Sequence, residues 1–161
     1  MIVRSANFRD AAGMTGLQNA VIRIGGTTAF EMERDTDDLT DAYLTGPTAL
    51  CAHVAEDAGR IIGFQVLGIY CDMPDLWGDI GTFVHPDVQR GGVGAALFAA
   101  TLDWARANGV PTLLAVIRAD NVVGLGYYAK RGFADWGSEP DITLKDGRVV
   151  GRIAKRFDVA P

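Results

Sequence analysis

Cysteine is scarce in this sequence. The two present, Cys51 and Cys71, lie in apolar, strand-like runs without the spacing of metal ligands, and read as buried reduced thiols. An excess of basic charge is also missing. Fifteen Lys and Arg stand against twenty Asp and Glu, a net charge of −5, which argues against a broad nucleic-acid surface. No apolar run reaches the length of a membrane span, and the opening MIVRSANFRD lacks the long apolar stretch of a signal peptide. The expectation is a soluble, cytoplasmic protein with no membrane and no nucleic-acid partner. Repeats, low-complexity tracts and linkers are absent as well. What remains is 161 residues of 48% hydrophobic composition, enough for one compact domain over residues 1–161 with a real core.

Periodicity supplies the elements. MIVRSA alternates as a short strand, and Asp10 can cap a helix through Ala12, Leu17, Ala20 and Val21 that ends at Gly25 and Gly26. The acidic ERDTDDLTDAYLTG reads as a surface helix. ALCAHVA and IIGFQVLGIY, parted by the polar EDAGR, read as an antiparallel hairpin, and DIGTFV as the next strand. A helix of about seventeen residues follows, with Val93, Leu97, Ala100 and Trp104 as its apolar stripe. TLLAVI is a buried strand, NVVGLGYYAK a short helix closed by Gly132, and ITLKDGRVVGRIAKRF a terminal hairpin turning at Asp146–Gly147. The sum is an α/β fold with a mixed sheet.

Between the DIGTFV strand and its helix stands VQRGGVGAAL, with glycine at 91, 92 and 94. Gly weakens a helix interior by up to about 1 kcal/mol relative to Ala, so folding alone does not ask for it here. A helix mouth leaves its first backbone N–H groups unpaired and carries partial positive charge. Without Cβ atoms, several of those groups can approach one phosphate, and Arg90 adds a fixed charge. The competing reading is a tight strand–helix turn that binds nothing. Two other phosphate loops are excluded. No Gly-Lys-Ser/Thr is present, and a dinucleotide fingerprint would need glycine at Leu97 and an acid near Thr112.

Gln89-Arg90-Gly91-Gly92-Val93-Gly94 resembles the Gln/Arg-x-x-Gly-x-Gly loop that holds the acyl-CoA pyrophosphate in the GNAT N-acetyltransferases. Asn121 and Tyr128-Ala-Lys-Arg-Gly132-Phe133 look like the Asn…Tyr-x-x-x-Gly-Phe segment of the same superfamily, with one helix, one strand and one loop between the blocks. Near the start, NAVIRIGGTTAFE resembles the phosphinothricin or amino-acid N-acetyltransferase branch. The C-terminus departs from that branch, having GRIAKRFD where a Gly-x-Trp ending is expected. The resemblance implies a mixed, largely antiparallel central sheet with splayed central strands flanked by helices. It further implies acetyl-CoA as cosubstrate with no metal, a small-molecule amine as acceptor, and, as in relatives of this branch, a homodimer. The terminal hairpin with Val149, Val150 and Ile153 would then pair across the dimer or form an internal part of the sheet.

The resemblance also assigns roles. Diphosphate donors come from the backbone of Arg90, Gly91, Gly92, Val93, Gly94 and Ala95, with Gln89 in the same loop, and pantetheine pairs with backbone groups of Phe83 and Val84. Asn121 either caps its helix, or leaves that to Asp120 and hydrogen-bonds pantetheine. Tyr128 gives a proton or hydrogen bond to the departing thiolate, and its neighbour Tyr127 is left as packing. Deprotonating a free α-amine at pH 7 costs about 1.4 kcal/mol, and a lysine-like amine about 4.6 kcal/mol, so a base is useful. Asp79 is the first candidate and Glu31 the second; each has an ordinary alternative as a solvated charge. Trp77 walls the substrate pocket or simply packs. His85 reads as a turn residue, and His53 has no assigned role. A noncatalytic acyl-CoA-binding module is the rival to the enzyme.

Overall fold

Alternating apolar and polar side chains build one seven-stranded sheet, ordered β1-β2-β3-β4-β5-β7-β6. The computed structural model describes residues 1–70, 73, 74, 76–88 and 91–159. Its strands are β1 (Ile2–Ser5), β2 (Ala49–Asp57), β3 (Arg60–Gly68), β4 (Gly78–Val84), β5 (Thr112–Arg118), β6 (Ala134–Thr143) and β7 (Val149–Asp158). The helices are α1 (Ala11–Ile24), α2 (Thr36–Thr40), α3 (Val93–Ala107) and α4 (Val122–Lys130). Every neighbouring pair of strands is antiparallel except β4 and β5, which run parallel.

The period of two along β2–β4 sorts side chains onto two faces. Val54, Phe64 and Phe83 share one face with Val66 and pack under α1 and α2 against Met14, Leu17, Val21, Leu39 and Tyr43. Phe64 and Phe83 stack with centroids 4.7 Å apart. Such a buried pair contributes about 0.5–1.5 kcal/mol beyond the area it removes from water. Leu67 and Ile80 take the other face, with Phe98 of α3, Tyr128 of α4, and Leu113, Ala115 and Ile117 of β5. The β2–β3 connection tightens to two residues, Ala58 at φ 47° and Gly59 at φ 77°, between the paired Asp57 and Arg60. Two left-handed residues match the right-handed twist of the strands they join.

Several expectations are corrected by long-range contacts. The buried side of α3 is Val93, Leu97, Phe98, Thr101 and Ala105, not the stripe through Ala100 and Trp104. Thr101 is buried because its hydroxyl meets His53 Nδ1 at 3.1 Å, which gives that histidine a partner. Burial pushes the His53 pKa down, so the imidazole is neutral at pH 7. Asp10 stands at the start of α1 without capping it. Its carboxylate receives two N–H groups of Arg4 at 2.8 Å and the Asn7 N–H at 2.9 Å, and the Arg4 guanidinium holds its pKa down. The terminal hairpin forms as expected, yet β7 lies between β5 and β6 with its ladder filled on both sides, leaving β6 as the edge. Cys51 is a free thiol that burial pushes up to about 12, in keeping with a reduced, unreactive cysteine; Cys71 lies outside the described residues.

Candidate active site

The parallel pair carries the site. β4 and β5 are paired only at Gly78↔Leu113 and Asp79↔Leu114. Beyond that point β4 stays with β3 as far as Val84↔Gly63, while β5 follows β7 from Thr112 to Arg118. A gap therefore opens along β4, and its backbone polar groups there have no strand opposite. Successive residues present these groups to alternate sides. The Ile80 carbonyl faces the gap, since it accepts the Tyr128 hydroxyl at 3.1 Å. The His85 N–H turns the other way, to Ile62 O at 2.9 Å. Thr82 and Val84 therefore share the side of Ile80. The Phe83 carbonyl points to β3, 3.3 Å from where a side chain on Gly63 would begin. Of the two backbones expected at the gap, the structure turns Val84 towards it and Phe83 away, and adds Thr82.

At the far end of β4, α3 begins without a side-chain cap. Its N-cap residue is Gly92 at φ 75°, and the first helical bond runs from the Ala96 N–H to Gly92 O at 3.1 Å. The amides of Val93, Gly94 and Ala95 come before that bond, at the positive end of the helix. Among the described residues nothing lies within 4 Å of the position a Gly92 side chain would take. Gly91 is exposed, with its N–H on Val88 O at 3.1 Å. Gln89 and Arg90 lie outside the described residues. Gly94 is glycine for a different reason: a Cβ there would meet the Tyr127 ring at 2.8 Å. The Tyr127 hydroxyl donates to the Gly94 carbonyl at 2.8 Å and accepts Gln65 Nε2 at 3.2 Å. Tyr127 is thus a strut between α4 and the helix mouth, more than the packing residue expected.

Tyr128 is 6% exposed, and its ring sits edge-on to Phe133 at 5.0 Å. Its hydroxyl also meets Thr82 Oγ1 at 3.0 Å. One phenolic proton cannot serve both partners, so with that proton on Ile80 O the Thr82 hydroxyl donates to Tyr128. Gln65, wholly buried, donates in turn to Thr82 Oγ1 at 2.8 Å. Burial raises the Tyr128 pKa well above the usual tyrosine value, so the hydroxyl keeps its proton throughout the neutral range. Gln65 and Thr82 were not anticipated. The signal for Gln65 was a lone amide inside the apolar run IIGFQVLG.

Asp79 marks the closed end of the gap, on the opposite face from Tyr128. It stands across β3 from Gly68, onto which the Tyr70 ring folds so closely that a Cβ would lie 2.2 Å from it. Tyr70 meets Tyr43 edge-on at 5.7 Å. Burial first, and the Asp79 charge further down the order, raise the pKa of Tyr43, Tyr70 and Tyr128. The carboxylate is therefore felt on both faces. The Tyr70 hydroxyl is buried without a hydrogen-bond partner among the described residues, an uncommon state for a polar atom.

The remaining candidates are occupied. The Glu31 carboxylate accepts the Lys145 N–H at 2.8 Å, and Lys145 Nζ donates to the Glu31 carbonyl at 3.0 Å, so Glu31 fastens its loop to the β6–β7 turn. Trp77 packs on Trp136 at 5.5 Å beneath Arg156, over the β5–β7–β6 half of the sheet. Asn121 caps α4 by accepting the Gly124 N–H at 2.8 Å, and its amide nitrogen donates to Thr27 O at 2.7 Å. Asp120 does not cap. It holds Arg118, which also donates to Thr28 O at 3.1 Å, and the guanidinium keeps the Asp120 pKa low. Arg118, Asn121 and Lys145 together pin residues 27–31 beyond the end of β5. His85 sits in the turn after β4, 2.6 Å from Arg60. Among the described residues no cluster of His, Cys, Asp and Glu is arranged to hold a metal ion, and no helix is long and apolar enough to cross a membrane.

A parallel pair separates beside an uncapped, glycine-led helix. Residues 22–133 match the acetyltransferase (GNAT) family, and the chain belongs to that family of acetyltransferases. It is 30% identical to the L-methionine sulfoximine/L-methionine sulfone acetyltransferase of Pseudomonas paraeruginosa, over 99% of this chain and 95% of that protein. This relative falls in the amino-acid branch that the NAVIRIGGTTAFE segment resembles. Among solved structures, an N-acetyltransferase from Staphylococcus aureus Mu50 superposes with a TM-score of 0.86 at 18% identity, covering 99% of this chain and 98% of that one. The Salmonella typhimurium protein yncA, solved with its cofactor acetyl-CoA, also gives 0.86, at 22% identity, covering 100% and 95%.

Proposed function

We propose that this acetyltransferase moves acetyl from acetyl-CoA directly onto the amine of a small amino acid or a close analogue, of the kind acted on by the Pseudomonas relative. The observation that carries the reading is the position of Tyr128 and Asp79 on opposite faces of one gap, whose far end is an uncapped helix mouth. The residues present fit the cosubstrate. Three leading amides of α3 and an open Gly92 suit a diphosphate, and the gap-facing backbones of Thr82 and Val84 suit the amides of an extended arm. The bound thioester supplies an activated acyl group. Asp79 receives the amine proton, directly or through one water. Tyr128 then turns its proton from Ile80 O to the departing sulfur, while Thr82 continues to donate to the phenolic oxygen. The engagement of Glu31 with Lys145 is why Asp79 is preferred as base.

An acceptor screen that follows free CoA tests the reading, with L-methionine sulfoximine, L-methionine sulfone, phosphinothricin, common amino acids, polyamines and aminoglycosides. Tyr128→Phe should lower kcat about a hundredfold or more while CoA binding, measured by calorimetry, changes little. Asp79→Asn should do the same. CoA binding without thiol release from any acceptor would leave only a noncatalytic binder.

A further inference from the structure

We propose that Arg34 reads the carboxylate of the acceptor, so that a zwitterionic α-amino acid is preferred over the simple amine of the same side chain. This rests on the acetyl-transfer reading above. Arg34 lies outside every element, yet its backbone is held from both sides. Asn19 of α1, only 9% exposed, accepts the Arg34 N–H on Oδ1 at 2.9 Å and donates Nδ2 to the Arg34 carbonyl at 2.8 Å. A buried amide spent on both polar groups of one loop residue fixes where that residue's side chain starts.

The side chain then runs across aromatic surface. Its guanidinium carbon sits 5.1 Å from the Tyr43 ring centroid and 5.5 Å from that of Phe30, and one Nη donates to Asp38 O at 3.1 Å. No carboxylate pairs with Arg34 among the described residues. Arg118 and Arg156, on the same face of the sheet by register, are each held by an aspartate. Ring faces orient a guanidinium and leave its edge to donate, and that planar edge matches a carboxylate with two parallel N–H groups.

Position completes the argument. Tyr43 under Arg34 meets Tyr70 edge-on at 5.7 Å, and Tyr70 covers Gly68, directly across β3 from Asp79. Arg34 and the proposed base therefore stand at the two ends of a single tyrosine pair. Besides the burial that raises both, the Arg34 cation lowers and the Asp79 anion raises the pKa of Tyr43 and of Tyr70, so both charges act on the same two rings. Residues 27–31, pinned by Arg118, Asn121 and Lys145 beyond the end of β5, lead into Arg34.

The test compares L-methionine sulfone with the decarboxylated amine of the same side chain, in the wild type and in Arg34→Gln. The free amine holds its proton more tightly, so the change on mutation is compared within each acceptor. Arg34→Gln should raise KM for the amino acid about a hundredfold and leave KM for the amine unchanged, with kcat for both retained. Arg34→Lys, which keeps the charge but not the fork, should recover part of the loss and guards against a misfolded glutamine variant. An unchanged preference for the amino acid in Arg34→Gln overturns the proposal, as does an equal loss with both acceptors. Calorimetric titration of L-methionine sulfone into CoA-loaded protein separates this from the catalytic reading. Binding that weakens in Arg34→Gln supports the carboxylate contact even if no acetyl is transferred, and binding that does not weaken overturns it even if acetyl is transferred.

Discussion

Single residues at the helix mouth do different work although they look alike. Gly92 supplies a left-handed backbone at φ 75°, which costs an L-residue about 1–2 kcal/mol. Gly94 supplies space for the Tyr127 ring. Gly94→Ala should therefore destabilise the protein by about 1–3 kcal/mol through overpacking. Tyr127→Leu in the same chain should return much of that loss, as melting temperatures of the two single variants and the double variant would show. Independent losses that simply add would mean the ring and the glycine are not coupled. The glycine run itself was plain in the sequence; its two causes were not. The partner of Gly94 lies thirty-three positions further on, and no local pattern announces a contact of that range. Tyr128 was singled out by the resemblance, through its spacing to Gly132 and Phe133, while its tie to Ile80 and Thr82 depends on strand register.

Elements were read well where local chemistry decides them and poorly where partners do. Alternation, capping residues and Asp146–Gly147 placed the strands, helices and terminal hairpin, because turn and period act over a few residues. Which face of α3 is buried depended on His53 reaching Thr101, and the inner position of β7 depended on β5. Asn121 shows how one side chain can serve an element and the site together. Asn121→Asp should keep the cap, since a carboxylate still accepts the Gly124 N–H, but it sets an oxygen against the Thr27 carbonyl. Helix stability should hold while acceptor KM rises and the loop at Thr27 exchanges its amide hydrogens faster. Asn121→Ala should add about 1 kcal/mol of lost stability to the same kinetic defect. An unaltered KM in the aspartate variant would detach the loop from acceptor binding.

For the molecule as a whole, buried tyrosine sets the alkaline limit. All four tyrosines, at 43, 70, 127 and 128, are raised above their usual value of 10.0, each chiefly by burial. The unfolded chain releases those protons first. Stability is thus complete below about pH 10 and declines as pH rises beyond it. Melting temperature should be flat through neutrality and fall above that point, with tyrosinate absorbance appearing together with unfolding; tyrosinate forming before the fold opens would contradict the burial described. The same view of the whole gives β4 a further property. Val84 packs beside Val93 at the helix mouth, and Asp79 lies five residues back, a span of about 17 Å at about 3.3 Å per residue. The strand is a ruler. On the proposed function, a carrier gripped at Gly92–Ala95 and laid along it would have its tip beside Asp79 by length alone. A truncated carrier would halt short of the amine and a lengthened one would run against the closed β4–β5 pair, so the length of the open strand would itself discriminate among thioesters.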